Sequence, residues 1–191
     1  NSEKSEIWID EVGGQSPFLR VFDITGTSYT PNEKVLGIGT YRVWVRTHSN
    51  TDNPATTADE RELSDWSLAR TIRVSTPPVV VGPVGRTGAT RPTLSWQSVP
   101  GALNYEVWID NNTVPVSNLF ASKTPNPNKG ISSLSYTVPA DLPIGQYTFW
   151  VRANNASGVT SNWSVPKSFS VVTAPVLSGP SQATLNMRPT F

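Results

Sequence analysis

Few residues in this chain have the types and spacing that chemistry needs. There is one histidine and no cysteine. A zinc site of the usual nitrogen–sulfur kind cannot be assembled from that set, and no thiolate or disulfide exists. His48 lies in a stretch, 48–63, that reads as a loop, so it reads as a solvated side chain rather than a general base. Asp59, Glu60 and Glu62 cluster in the same stretch. Paired carboxylates can do acid–base work, but Arg61 sits among them and the run reads as a solvated charge cluster. Asp110, Asn111 and Asn112 begin like a calcium loop, but the remaining Asp, Asn and Gly ligands do not follow. Asn111, Asn155 and Asn162 head N-x-Ser/Thr sequons, which chance supplies in a chain rich in Asn, Ser and Thr. No phosphate-cradling glycine loop is present. The expectation is a non-enzymatic chain without a cofactor or metal.

The seven tryptophans remain. Six of them fall into pairs: Trp8 and Trp108 in EIWID and EVWID, Trp44 and Trp150 in YRVWVR and YTFWVR, Trp66 and Trp163 in SDWS and SNWS. Strands alternate faces. In 105–110 the inward face is Tyr105, Val107 and Ile109, which leaves Glu106, Trp108 and Asp110 outward. In 147–152 Tyr147, Phe149 and Val151 point in, which leaves Trp150 and Arg152 outward. Trp8, Trp44 and Arg46 repeat that arrangement. Trp96, which has no repeat partner, is expected in the core.

The elements that hold these residues recur as a unit of about a hundred residues, a common size for a β-sandwich domain. EIWID at 6–10 returns at 106–110, SYT at 28–30 returns at 135–137, and SDWS at 64–67 returns as SNWS at 161–164. TPPVVVGP at 76–83 returns as TAPVLSGP at 173–180, and RPT at 91–93 returns at 188–190. Motif order is kept throughout, which marks an internal repeat. One complete copy spans 76–172 and divides into seven short strands: 76–83, 91–97, 105–110, 114–122 (the weakest), 134–139, 146–153 and 164–172. Residues 1–75 form a unit lacking its first two strands, and 173–191 hold the first strand and the start of the second strand of a third unit. Pro and Gly, 17 and 13 in number, are spread as turn punctuation, which favours many short strands over helices. Charged residues make up 15 % and net charge is +1, so no field attracts nucleic acid. No apolar run approaches the roughly 18 residues of a spanning helix, so membrane insertion is not expected.

The complete unit resembles a fibronectin type III domain and, more broadly, an immunoglobulin-like β-sandwich. The resemblance rests on LSW at 94–96, YEVW at 105–108, the Leu-Pro-x-Gly-x-Tyr turn at 142–147, and VRANNASGVTSNWS at 151–164. It implies an all-β fold of tandem seven-stranded sandwiches and a tyrosine corner at Tyr147 and Tyr41. Tandem units without cysteine resemble the repeat regions of large bacterial cell-surface or secreted proteins, which implies an extracellular or cell-surface location.

The outward tryptophans have two readings. In the first they brace the sheet, as in the Trp–Arg ladder of cytokine-receptor type III domains, through cross-strand aromatic pairs and arginines over indole faces. In the second, Trp108, Trp150, Arg152, Trp8, Trp44 and Arg46 form a binding face for the apolar sides of sugar rings. The expected function is a structural and adhesive spacer in a long multidomain chain. Its partners are other domains of that chain and protein or polysaccharide ligands. The alternative is a carbohydrate-binding accessory module. Residues 173–191 of a neighbouring copy would complete the first unit by strand exchange.

Overall fold

The computed structural model describes residues 4–48, 63–121, 123 and 126–173. Among them are eleven strands and no helix: β1 (Lys4–Glu11), β2 (Leu19–Ile24), β3 (Gly39–His48), β4 (Arg70–Val74), β5 (Val80–Gly82), β6 (Gly85–Thr87), β7 (Thr93–Trp96), β8 (Asn104–Asn111), β9 (Ser135–Thr137), β10 (Gly145–Asn154) and β11 (Lys167–Val171). They form three open sheets with orders β2-β1-β3-β4, β6-β11-β10-β8 and β5-β7-β9.

The last two sheets face each other across one core. Aromatic and β-branched residues favour extended backbone, and β10 alternates buried and half-buried positions along Tyr147, Phe149, Val151 and Ala153. The core joins these to Val107 and Ile109 of β8, Phe169 and Val171 of β11, and Leu94 and Trp96 of β7. Trp96 is buried, as expected. First, second and fifth strands share one sheet, and third, sixth and seventh share the other, as in an immunoglobulin-like sandwich.

Four expectations need correction. The first strand does not run through 76–83; it breaks at Pro83, which lacks an N–H and cannot continue the pairing. The chain then changes sheets, and β6 pairs in parallel with β11. The fourth strand, expected at 114–122, does not form among its described residues, 114–121: the segment meets β8 through the bridge between Asn111 and Val116 and a bond from the Leu119 N–H to the Ile109 carbonyl. Asn118 there adopts φ 49°, off the strand path, and Asn111 Oδ1 accepts hydrogen bonds from the Thr113 and Val114 N–H groups, a turn. Ser28–Thr30 is not a strand, although the same tripeptide at Ser135–Thr137 is β9. β9 exists by pairing with β7, and among the described residues no β7 equivalent lies beside Ser28–Thr30. Finally, His48 is not a solvated loop side chain. It ends β3, in register with Lys4, and is buried. Asp59, Glu60, Glu62 and 174–191 lie outside the described residues.

The first sheet has no second sheet opposite it among the described residues. Val45 and Ile72 occupy the positions of Val151 and Phe169 and are 38 % and 44 % exposed, against 0 % and 2 %. Both halves keep the tyrosine corner: Tyr147 O–H donates to the Pro143 carbonyl at 2.8 Å, and Tyr41 O–H to the Gly37 carbonyl at 3.0 Å. Burial raises both phenol pKa values, and for Tyr41 the nearby Glu11 charge adds to the effect. Tyr147→Phe keeps the ring and removes one part-buried hydrogen bond, so urea unfolding is expected to show a loss of about 1 kcal/mol.

Candidate functional site

Strand register places the tryptophans. β1 and β3 pair without a slip over eight residue pairs, with Trp8 opposite Trp44 and Glu6 opposite Arg46. β8 and β10 repeat this, with Trp108 opposite Trp150 and Glu106 opposite Arg152. Directly opposed residues share a face with Cβ atoms about 4.5–5.5 Å apart. All six residues of the expected binding face are therefore brought together as two sets of three, one on each sheet. All six are half-buried.

A third tryptophan completes each set, placed by the S-x-W-S tetrapeptide. Ser161 and Ser164 bind β10 through four hydrogen bonds: their N–H groups donate to the Ala153 and Val151 carbonyls, and their hydroxyls accept from the Ala153 and Val151 N–H groups. Ser64 and Ser67 grip Thr47 and Val45 of β3 in the same way. Each serine pair straddles one tryptophan and lays it across the sheet. Trp163 meets Trp108 at 5.9 Å between ring centroids and 80° between planes; Trp66 meets Trp8 at 6.0 Å and 80°. These are edge-to-face contacts, which contribute about 0.5–1.5 kcal/mol beyond burial. Arg152 lies 4.6 Å over Trp163, and Arg46 lies 4.4 Å over Trp66.

Each arginine also serves a buried carboxylate. Arg152 donates from Nε and Nη2 to Glu106 Oε2 at 3.0 and 2.7 Å, and Lys129 Nζ lies 3.4 Å from Glu106 Oε1. Glu6, fully buried, sits between Arg46 and Arg20, each 2.5 Å from one of its oxygens. A buried carboxylate is tolerable only when paired and hydrogen-bonded. The arginine therefore both neutralises the glutamate and caps the indole.

The perpendicular rings flank an open cleft on each sheet, each of about 280 Å³. One is lined by Trp8, Asp10, Trp44 and Trp66. The other is lined by Trp108, Asp110, Ser117, Trp150 and Trp163. Asp10 Oδ1 accepts the Trp8 indole N–H at 2.7 Å, and Asp110 Oδ1 accepts that of Trp108 at 2.6 Å. Asp110 Oδ1 also accepts the Asn118 N–H at 2.7 Å. Strand-face reasoning put Glu106 and Asp110 on the outer face beside Trp108 without giving them a role, and it passed over Glu6, Asp10 and the paired serines. The signal was in the repeat itself, which copies the flanking E and D of ExWID and both serines of SxWS as faithfully as the tryptophans. Among the described residues, no group of three or more His, Cys, Asp or Glu could hold a metal.

No protein-family model and no curated protein matches the chain. Among solved structures it is similar to the chicken CNTN1 FN1–FN3 domains, at 16 % identity and a TM-score of 0.36, over 90 % of this chain and 56 % of that one. It is also similar to CopC from Methylosinus trichosporium OB3b, at 15 % identity and a TM-score of 0.33, over 53 % of this chain and 99 % of that one. The chain thus spans little more than half the length of the CNTN1 fragment.

Arg152→Ala leaves Glu106 buried with Lys129 as its remaining cation, so unfolding in urea is expected to show a loss of about 3 kcal/mol. Replacing the pair together, Glu106→Leu with Arg152→Met, is expected to restore most of that loss, because the cost lies in the stranded charge.

Proposed function

We propose that the chain is a non-enzymatic structural and adhesive spacer. Tandem fibronectin type III-like units, 1–75, 76–172 and 173–191, would serve a large cell-surface or secreted protein by holding its other domains at fixed separation. The observation that carries this reading is the junction between the first sheet and the sandwich that follows it.

Ile38 belongs by sequence to the first half but is 1 % exposed within the core cluster of the second. Its N–H donates to the Pro100 carbonyl at 2.9 Å, and its carbonyl accepts from Asn155 Nδ2 at 3.1 Å. The approach is close: a Cβ on Gly37 would fall 2.7 Å from the Pro100 oxygen and 2.8 Å from Gly101 Cα. Gly101, at φ +77°, turns the chain there. Further bonds run from Asn162 N–H to the Ser75 carbonyl at 3.0 Å and from Arg73 Nη2 to the Thr160 carbonyl at 3.3 Å. The STPP linker at 75–78 adds restriction, since proline limits both itself and its predecessor. A side chain sunk in its neighbour's core and held by backbone bonds favours a stiff joint over the mobile one expected of a small polar interface.

Native cysteine is absent, so Thr27→Cys with Val165→Cys gives one unambiguous spin-label pair on exposed positions. Pulsed electron–electron resonance is expected to show one narrow distance distribution, broadened by Gly37→Val while β circular dichroism is retained. A broad distribution in the parent chain would remove the stiff-spacer reading.

A further inference from the structure

The indole clefts call for an occupant, and the joint does not use them. We propose that the cleft formed by Trp108, Trp150 and Trp163 with Asp110 binds a small organic cation of the alkylated-ammonium class, such as a trimethylammonium head group. This goes beyond the spacer reading and does not depend on it.

The cleft has the two features such a cation needs. The first is aromatic walls that are not coplanar. Trp108 and Trp163 stand at 80° to each other, and Trp150 is directly opposite Trp108 on the neighbouring strand. Walls at right angles surround a compact, roughly spherical group, whereas the flat side of a sugar ring needs an open, level surface. Indole is also the strongest of the side-chain π systems for a cation. The second feature is a carboxylate at the rim. Asp110 spends Oδ1 on the Trp108 indole and the Asn118 N–H. Among the described residues Oδ2 takes no hydrogen bond, which leaves that oxygen available to oppose the ligand's charge. A quaternary ammonium has no N–H to donate, so it asks only for π faces and a nearby negative charge. The cleft supplies both, while its indole N–H is already committed to Asp110.

The matching cleft on the first sheet provides an internal comparison. Trp8, Trp44, Trp66 and Asp10 reproduce the walls and the carboxylate. Yet Arg42 is the cross-strand partner of Asp10, where Thr148 is the partner of Asp110. Arg20 also lies 4.9 Å over Trp8, while no cation covers Trp108 among the described residues. Both clefts have an arginine over the third indole, but the first has in addition Arg20 over Trp8 and Arg42 in register with its carboxylate, which the second lacks. The second cleft is the ligand site, and the first is a weaker copy of it.

The test is a titration of the whole chain followed by the indole N–H resonances in proton–nitrogen correlation spectra. The probes are choline chloride and 3,3-dimethylbutan-1-ol, its uncharged carbon isostere, at matched ionic strength. Choline is expected to shift the resonances of Trp108, Trp150 and Trp163 saturably, and the alcohol to bind at least about tenfold more weakly. Asp110→Asn keeps an Oδ1 acceptor for Trp108 and Asn118, and is expected to retain the parent's dispersed spectrum and to weaken choline binding about fivefold. Arg42→Thr is expected to strengthen binding at the first cleft. Equal binding of choline and the alcohol, or indifference to Asp110→Asn, would overturn the proposal. So would the absence of a saturable shift, or shifts of the same resonances by soluble xylan or laminarin but not by choline; that last result would make the clefts sugar sites.

Discussion

The pairing register of the third and sixth strands of each half carries the rest of the structure. Side chains alternate along a strand, so a slip of one residue between β8 and β10 would move every side chain of one strand to the opposite face. Tyr147, Phe149 and Val151 would leave the core, and Trp150 and Arg152 would enter it. Burial of large apolar side chains is worth about 1.5–3 kcal/mol each, so the register is held by the core face. The outer face is then determined as a consequence: tryptophan stands against tryptophan and glutamate against arginine in β1–β3 and again in β8–β10.

On that outer face two interactions of different size are coupled through one side chain. An arginine over an exposed indole contributes about 0.5–1 kcal/mol. A buried carboxylate stripped of its partner costs several times more. Glu6 and Glu106, both buried, are therefore the stronger demand, and they hold Arg46 and Arg152 in place. The indoles of Trp66 and Trp163 take advantage of guanidinium groups already fixed, and the S-x-W-S serines bring those indoles across the sheet. Bracing and binding are compatible uses of such rings. The ladder uses the arginine-covered faces and the ring edges, and a cleft remains between the perpendicular planes.

The repeat is most informative where its copies diverge. Ile38 and Ile144 occupy the same place before the tyrosine corner, yet one is 1 % and the other 62 % exposed. The difference is the neighbour, since Ile38 has the Pro100–Gly101 turn and Asn155 against it. Gly37 stands where the second copy has Pro143, and the contact leaves no room for a Cβ. Asn155 was notable in the sequence as the head of a sequon. In the structure it is 7 % exposed and is a strut of the junction.

Composition, alternation and the internal repeat were enough to determine an all-β chain, the inward and outward faces of the third and sixth strands and the buried Trp96; the tyrosine corners came from the resemblance to fibronectin type III domains. The first three follow from local periodicity and from residues a few positions apart. The sequence also contained the site residues in its repeated ExWID and SxWS motifs, without their geometry. Only the tertiary structure decided that Pro83 sends the first strand into the other sheet, that 114–121 turns and leaves a single bridge where a strand was expected, and that His48 is buried at a strand end. It alone placed Trp108 and Trp163 at right angles beside Asp110, and Ile38 in its neighbour's core. Each of these depends on which segments, distant in sequence, come to lie side by side. A strand is stabilised by its hydrogen-bonding partner, as the two SYT tripeptides show, and a cleft or a joint is made of residues that only folding brings together.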